Sequence, residues 1–461
     1  PCLIPDILTP LSRQNNKICI SRDKCLLWIR VDIPRNVKCG TYPVVVILTA
    51  DGVTLKKAHL ELEVLPYELP ENAVKYTQWF YSDCIANVHG VKVYSEEHWK
   101  LIEEYIKTAA DCGINMILTP VHNPPLDTAV GAARTDVQLA EITKTEEGYA
   151  FDFTRLERWL EICGIFGIRY IEIPHLFSQW GAKFAPNIYV CEDGVRTHLF
   201  GWHTKSDSKE YTDFLKEYLP ALTGKLRELG WLDRTYFHIS DEPSMENIEA
   251  YERNAKSVHS ILDGAKVIDA LSDIDFYKKG LVDTPVPAND HIEPFLSEDI
   301  KERWVYYCCC QGNGVSNRFL AMSSFRNRII GIQMYKFGVT GFLQWGYNYY
   351  YARLSEYEIN PYITTSGDYA FPSGDAFSVY PSADGALPSI RAFVFYEALQ
   401  DMALCKLLEN RTSRDFVVRL IDEIAGQDVR FASIPSDDAY LFVLRERILD
   451  ELQKMENTIN T

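Results

Sequence analysis

No apolar run of about 18 or more residues, the length of a membrane-spanning helix, occurs anywhere in the 461-residue chain. Positive charge is also in short supply: 47 Lys and Arg face 64 Asp and Glu, a formal charge of −17. Nucleic acid and anionic membrane surfaces are recognised through a basic patch, so this balance argues against both as partners. No CxxC pair and no HExxH occur, and His198 and His203 stand five apart, outside the i, i+4 spacing of a helical zinc pair. These absences speak against a metal centre. A glycine-rich phosphate loop is missing too: GNGVSN (312–317) lacks the last glycine of a dinucleotide turn and reads as a loop. There is no internal repeat, coiled-coil heptad or charged tail, so nothing supports a structural or interaction role.

At roughly 150 residues per domain the length suggests two or three units, or one large α/β barrel that absorbs most of the chain. Such a chain buries a full core without disulfides or metals. The 12 cysteines are scattered, and three are consecutive, Cys308, Cys309 and Cys310. They read as free thiols packing as small hydrophobes rather than as a disulfide framework, which leans towards a reducing, cytoplasmic compartment. The chain starts at Pro1 rather than Met, so it is silent on a signal peptide. The compositional excess is aromatic, with 27 Tyr, 22 Phe and 9 Trp. That fits a large core, and aromatic faces are also how proteins hold sugar rings.

Along the chain, CLLWIRVDIP (25–34), GTYPVVVILTADG (40–52) and AHLELEVLPYELP (58–70) read as strands of a small, partial β-sandwich over residues 1–70. From residue 74 strands alternate with helices. Strands are expected in 74–83, 114–122, 168–175, 234–243, 265–273, 280–285, 303–310 and 339–345. Helices are expected at 95–113 with Ser95 as cap, at 154–167, at 209–230 with an interruption at Pro220, and at 244–262. Eight strands over roughly 270 residues match a (β/α)8 barrel, placed at 71–394, with a doubly wound open sheet as the competitor. Helices at 395–410 and 441–458 form a C-terminal segment, 395–461, that packs on the barrel.

In such a barrel the reactive groups sit at the C-terminal ends of the strands. The strand HISDEP (238–243) ends in two adjacent carboxyls, Asp241 and Glu242, whose side chains alternation sends in different directions. The plain alternative is that both only complement the dipole of the next helix. Tyr81, His122, His175, Trp345 and Tyr347 follow other strand ends. Acids, histidines and aromatics at one barrel mouth suit a glycosidase better than a phosphate or hydride enzyme.

Three segments carry a resemblance to a known family. HISDEP matches a strand-end Asp-Glu pair, VTGFLQWGYNYY (339–350) an aromatic strand and loop, and GDAFSVYPSADGALPSIR (374–391) a Gly-Asp-Gly-aromatic…Tyr-Pro…Ser-x-Arg stretch. Together they resemble glycoside hydrolase family 123, the exo-β-N-acetylgalactosaminidases. GTYPVVVILTADG before LPYELP is similar to the end of that family's N-terminal sandwich. Two departures stand out: the sandwich is short, as if its first half were missing, and Ala376 stands where the family often has Gly.

The resemblance implies release of terminal β-linked N-acetylgalactosamine from a glycan or glycolipid by substrate-assisted retention, with no metal or organic cofactor. The 2-acetamido oxygen of the substrate attacks C1 and an oxazoline forms. Asp241 would orient the acetamide through its N–H, and Glu242 would act as general acid and then base, a role that calls for a raised pKa. Trp345 is the candidate wall under the sugar, or else a core lid, and Tyr347 or a nearby Tyr the donor to the acetamide oxygen. His175 and His122 are candidates for ring hydroxyls, or are structural. Asp375 and Tyr380 are candidates for the C4 or C6 hydroxyls, a turn-forming Asp being the alternative at 375. Trp202 and His203 are placed on the leaving-group side. The rivals are a retaining glycosidase with two protein carboxylates, against which the strand at 303–310 offers no Glu, and a non-catalytic carbohydrate-binding barrel. Pattern alone does not separate galacto from gluco sugars.

Overall fold

The computed structural model describes residues 4–14 and 26–459. The chain forms two compact units, residues 10–71 and residues 1–9 with 72–461. In the smaller unit Gly40–Ala50 pairs antiparallel with Val53–Val64. Asp51 and Gly52 join them with φ of 50° and 78°, the two left-handed residues that a two-residue hairpin turn requires. Of the first expected strand (25–34), Cys25 lies outside the described residues, and 26–34 joins no strand formed among them.

The larger unit contains the barrel. Its strands are β1 (Lys75–Gln78), β2 (Met116–Leu118), β3 (Tyr170–Ile173), β4 (Thr235–Phe237), β5 (Lys266–Ala270), β6 (Thr284–Val286), β7 (Trp304–Tyr306) and β8 (Gly341–Gln344). Seven lie within the segments expected from the sequence, and β6 overruns its segment by one residue. They form one parallel sheet in the order β6-β5-β4-β3-β2-β1-β8-β7. The two edges meet where Tyr306 pairs with Ala288, its amide donating to Pro287 O at 3.0 Å and its carbonyl accepting from Asn289 N at 2.9 Å.

The pleat sorts the strand residues into two clusters. Met116, Leu118, Tyr236, Ile268, Trp304, Tyr306 and Leu343 share one. Their alternating neighbours Ile117, Phe237, Val267, Val305 and Phe342 share the other. The first fills the barrel interior and the second lies under the helices, as a period of two demands.

The helices show why some boundaries moved. Glu96–Asp111 starts where expected, with the Ser95 hydroxyl accepting from His98 N at 3.3 Å. The helix Lys209–Glu228 runs through Pro220 instead of stopping there. Pro220 lies on the exposed face, where water can take the carbonyl that the missing N–H leaves unbonded. The first strand is shorter than 74–83, because Ser82–His89 is already helical. The 394/395 division falls inside a helix, Ile390–Glu409. Its Phe395 stacks on Tyr76 of β1 at 4.3 Å between ring centres, so this helix belongs to the barrel's own core. The helix Arg414–Ala425, missed in the sequence, precedes the last, Tyr440–Ile459. Among the described residues no helix is long and apolar enough to cross a membrane.

The helix Ile330–Phe337 packs so closely on Ile390–Glu409 that a Cβ on Gly331 would lie 2.0 Å from the Ala398 carbonyl oxygen. Backbone on both sides cannot give way, so Gly331→Ala is expected to cost about 3 kcal/mol in urea unfolding.

Candidate active site

The chain beyond β4 is held on both sides. Leu176 N and Phe177 N donate to His238 O and Ile239 O at 3.0 Å each, and Trp180 N to Asp241 O at 2.9 Å. On the other side Glu242 N donates to Ala270 O at 3.0 Å. Glu242 is left with φ of 43°, a left-handed backbone unusual for a residue with a long side chain.

Asp241 and Glu242 both line a pocket at the C-terminal end of the barrel. Trp79, Tyr81, Trp180, Tyr306, Trp345 and Phe371 supply its aromatic walls. The Tyr306 hydroxyl donates to Glu242 Oε1 at 2.6 Å. Burial and the neighbouring Glu242 charge push the Asp241 carboxyl well above the usual carboxylate range. No described residue hydrogen-bonds the Asp241 carboxylate, which leaves it available to a ligand.

Trp345 is clamped. Its indole N–H donates to Asp375 Oδ2 at 2.9 Å, and its carbonyl accepts from the Tyr81 hydroxyl at 2.9 Å. Trp79 is fixed from beneath by donating to Glu172 Oε2 at 2.9 Å. Glu172 also accepts from the Thr77 hydroxyl and lies 2.8 Å from His238 Nε2. On the other side of His238, Asp269 stands 3.5 Å from Nδ1. Burial alone would lower the imidazole, but Asp269 and Glu172 push it up to about 9.

A site with two adjacent acids among aromatic walls at this end of a (β/α)8 barrel fits sugar chemistry, and the sequence bears it out. The profile of the glycoside hydrolase 123 catalytic domain matches residues 79–408. The chain belongs to glycoside hydrolase family 123. A family 123 glycoside hydrolase from Clostridium perfringens, studied for the details of glycolipid glycan hydrolysis, aligns over 93% of this chain and 78% of that one, with 18% identity and a TM-score of 0.67. A β-galactosidase from Bacillus circulans sp. alkalophilus aligns over 73% of this chain and 57% of that one, with 8% identity and a TM-score of 0.42. No curated protein matches.

In this family 123 chain Asp241, Glu242 and Trp345 come together in the pocket, and the other residues given a role from the sequence do not. Tyr347 is fully buried, stacks on Phe80 and donates to Tyr105 O at 2.9 Å, so its hydroxyl cannot meet an acetamide. Asp375 lies behind Trp345 with one oxygen on that indole and the other accepting from Gln344 Nε2 at 3.1 Å; it positions the wall instead of touching sugar. Burial raises its carboxyl to about 6. Tyr380 donates to Asp6 Oδ2 at 2.6 Å, away from the pocket.

His122 is buried between the His175 carbonyl at 3.1 Å and the Tyr218 hydroxyl at 3.3 Å. His175 is buried against His238 at 4.4 Å between rings. Burial and the charge of His238 hold it well below the usual imidazole range. Trp202 packs on Phe184, and His203 is exposed with Nε2 3.1 Å from Leu199 O; neither lines the pocket.

The sequence also marked Tyr81, at the end of the first barrel strand, and the pocket bears it out; the residues missed include Trp79, Gln179, Trp180, Tyr306, Phe371, Asp127, Cys308 and Cys309. A signal existed for Tyr306: in RWVYYCCC it alternates with Trp304, which places it on the interior face at a strand's end. Nothing in the sequence marked Phe371 or Asp127, which long loops bring in.

Tyr306→Phe keeps the ring and removes the bond to Glu242, so kcat is expected to fall about tenfold or more with KM little changed. The His238 shift bears on stability. Its folded pKa lies above the ordinary 6.5, so its contribution is fully present below that pH and is lost as pH rises through about 9. Unfolding free energy is expected to drop by about 3 kcal/mol across this window, and His238→Gln is expected to flatten the slope.

Proposed function

We propose that this glycoside hydrolase is a retaining exo-enzyme that releases terminal β-linked N-acetylgalactosamine from glycans or glycolipids, using the substrate's acetamide as nucleophile. The observation that carries the reading is the adjacent pair: a half-buried Asp241 with no hydrogen bond from the described protein, next to a Glu242 held by Tyr306. Asp241 accepts the acetamide N–H, which swings the acetamide oxygen towards C1 and steadies the positive charge as the oxazoline forms. Glu242 protonates the leaving oxygen, then takes a proton from the water that opens the ring.

A hydrogen bond from the acetamide N–H favours the charged form of Asp241. A bound N-acetyl sugar supplies that bond, and a plain hexoside cannot. Trp345 and Trp79 offer faces for the ring, and the half-exposed Trp180 offers one for the leaving group. The Clostridium perfringens relative was studied for its hydrolysis of glycolipid glycans, which favours such a substrate here.

The rival mechanism needs a protein nucleophile. Among the described residues the only further carboxylate lining the pocket is Asp127, and Asp127 already accepts from the Tyr349 hydroxyl and from Leu354 N.

Paired aryl β-glycosides separate these readings. The N-acetylgalactosaminide is expected to turn over and the galactoside not, with Asp241→Ala inactive and Glu242→Gln slowed by about 10²–10⁴-fold. Equal turnover of both sugars would sink substrate assistance and redirect attention to Asp127. No turnover of either would point to another sugar or to a binding protein.

A further inference from the structure

The mechanism above leaves Cys308, Cys309 and Cys310 unused. Their sulfur atoms lie within 4.8 Å of one another, and two of the three residues line the pocket beside Glu242. We propose that these cysteines bind one thiophilic metal ion, of the Zn²⁺ and Cd²⁺ class, in the pocket wall, and that its binding closes the pocket to substrate.

The turn at 309–310 brings the cysteines together, because consecutive side chains on a strand would point apart. Cys309 Sγ and Cys310 Sγ are 3.7 Å apart. Two thiolates bound at about 2.3 Å to a tetrahedral ion sit roughly 3.8 Å apart, so this edge of the site is preformed. The backbone around it is pinned. Cys308 N donates to Gln311 Oε1 at 2.9 Å, and Asn317 Nδ2 donates to Cys308 O at 2.8 Å and to Gln311 O at 2.9 Å.

Cys310 is exposed while Cys308 and Cys309 are half-buried, which gives an ion a way in from solvent. The Glu242 carboxylate on one side, and Asp290, reached through Gln311 Nε2 at 3.1 Å, favour a cation there. On binding, each thiol releases its proton to solvent and forms a sulfur–metal bond, and no electrons are transferred. Three thiolates leave the fourth tetrahedral position for water or a pocket carboxylate. His175, His238 and Asp269 also gather their ligand atoms within 4.8 Å, but all three are fully buried and Asp269 is taken up by Tyr251 and Ile239 N.

The test is a titration of the reduced chain with Cd²⁺ alone, followed by thiolate-to-metal charge-transfer absorption. One Cd²⁺ per chain is expected, bound at least about tenfold more weakly by Cys310→Ser. Because this readout needs no substrate, it stands apart from the sugar specificity proposed above. In the glycosidase assay Zn²⁺ is expected to stop turnover and a chelator to restore it. Cys310→Ser, altered outside the pocket lining, should keep its activity without metal and resist Zn²⁺. No saturable absorption with the wild type, or equal affinity in Cys310→Ser, overturns the site. Full turnover with the ion bound overturns the closure.

Discussion

Glu172 is a buried carboxylate far from water, and its partners determine how the pocket is built. It accepts from Thr77 and Trp79 at the end of β1 and faces His238 just beyond β4. A charge in such a place is tolerated only when its acceptor sites are filled and an opposite charge stands close. The imidazole of His238, itself flanked by Asp269, meets that need. One buried group thus ties β1, β3 and β4 together directly beneath the two acids, and fixes the plane of the Trp79 indole against them. Removing Glu172 or His238 would leave the other without its partner, which is why the arrangement constrains the strands more than an apolar cluster would.

A second buried ion, Arg318, does the same for the opposite wall. Its guanidinium donates to Gln78 and Gln344 at 2.5 Å each and to Asp375 O at 2.6 Å. Burial lowers its pKa to about 10, with the neighbouring Arg391 charge acting in the same sense and Asp375 against it. Through Gln344 and Asp375 this network reaches Trp345. The pocket therefore has two supports, one under the acids and one behind the aromatic wall, joined by β1, which contributes Thr77 to one and Gln78 to the other.

The barrel was legible in the sequence because buried parallel strands read as short apolar runs closed by turn residues, a signal that long-range packing does not alter. HISDEP was legible for a similar reason: its carboxyls have no place in a core. What sequence could not supply was side-chain direction beyond the strands. Tyr347 follows Trp345 by two, and alternation would put both on one face. Yet at Gly346 the chain packs so tightly on Ala376 that a Cβ would lie 2.3 Å from its carbonyl oxygen, and Tyr347 is directed into the core. Asp375 and Tyr380 failed likewise, because only the folded loop shows that one braces Trp345 and the other anchors Asp6. His122 and His175 are the lesson in reverse: polar residues at strand ends that the interior absorbs.

The left-handed backbone at Glu242 has a consequence for how such a position persists. A long side chain there carries a conformational cost that glycine or asparagine would largely escape. On grounds of fold stability alone, drift should favour replacing the acid, so its retention over time would measure selection for chemistry against a standing thermodynamic pull.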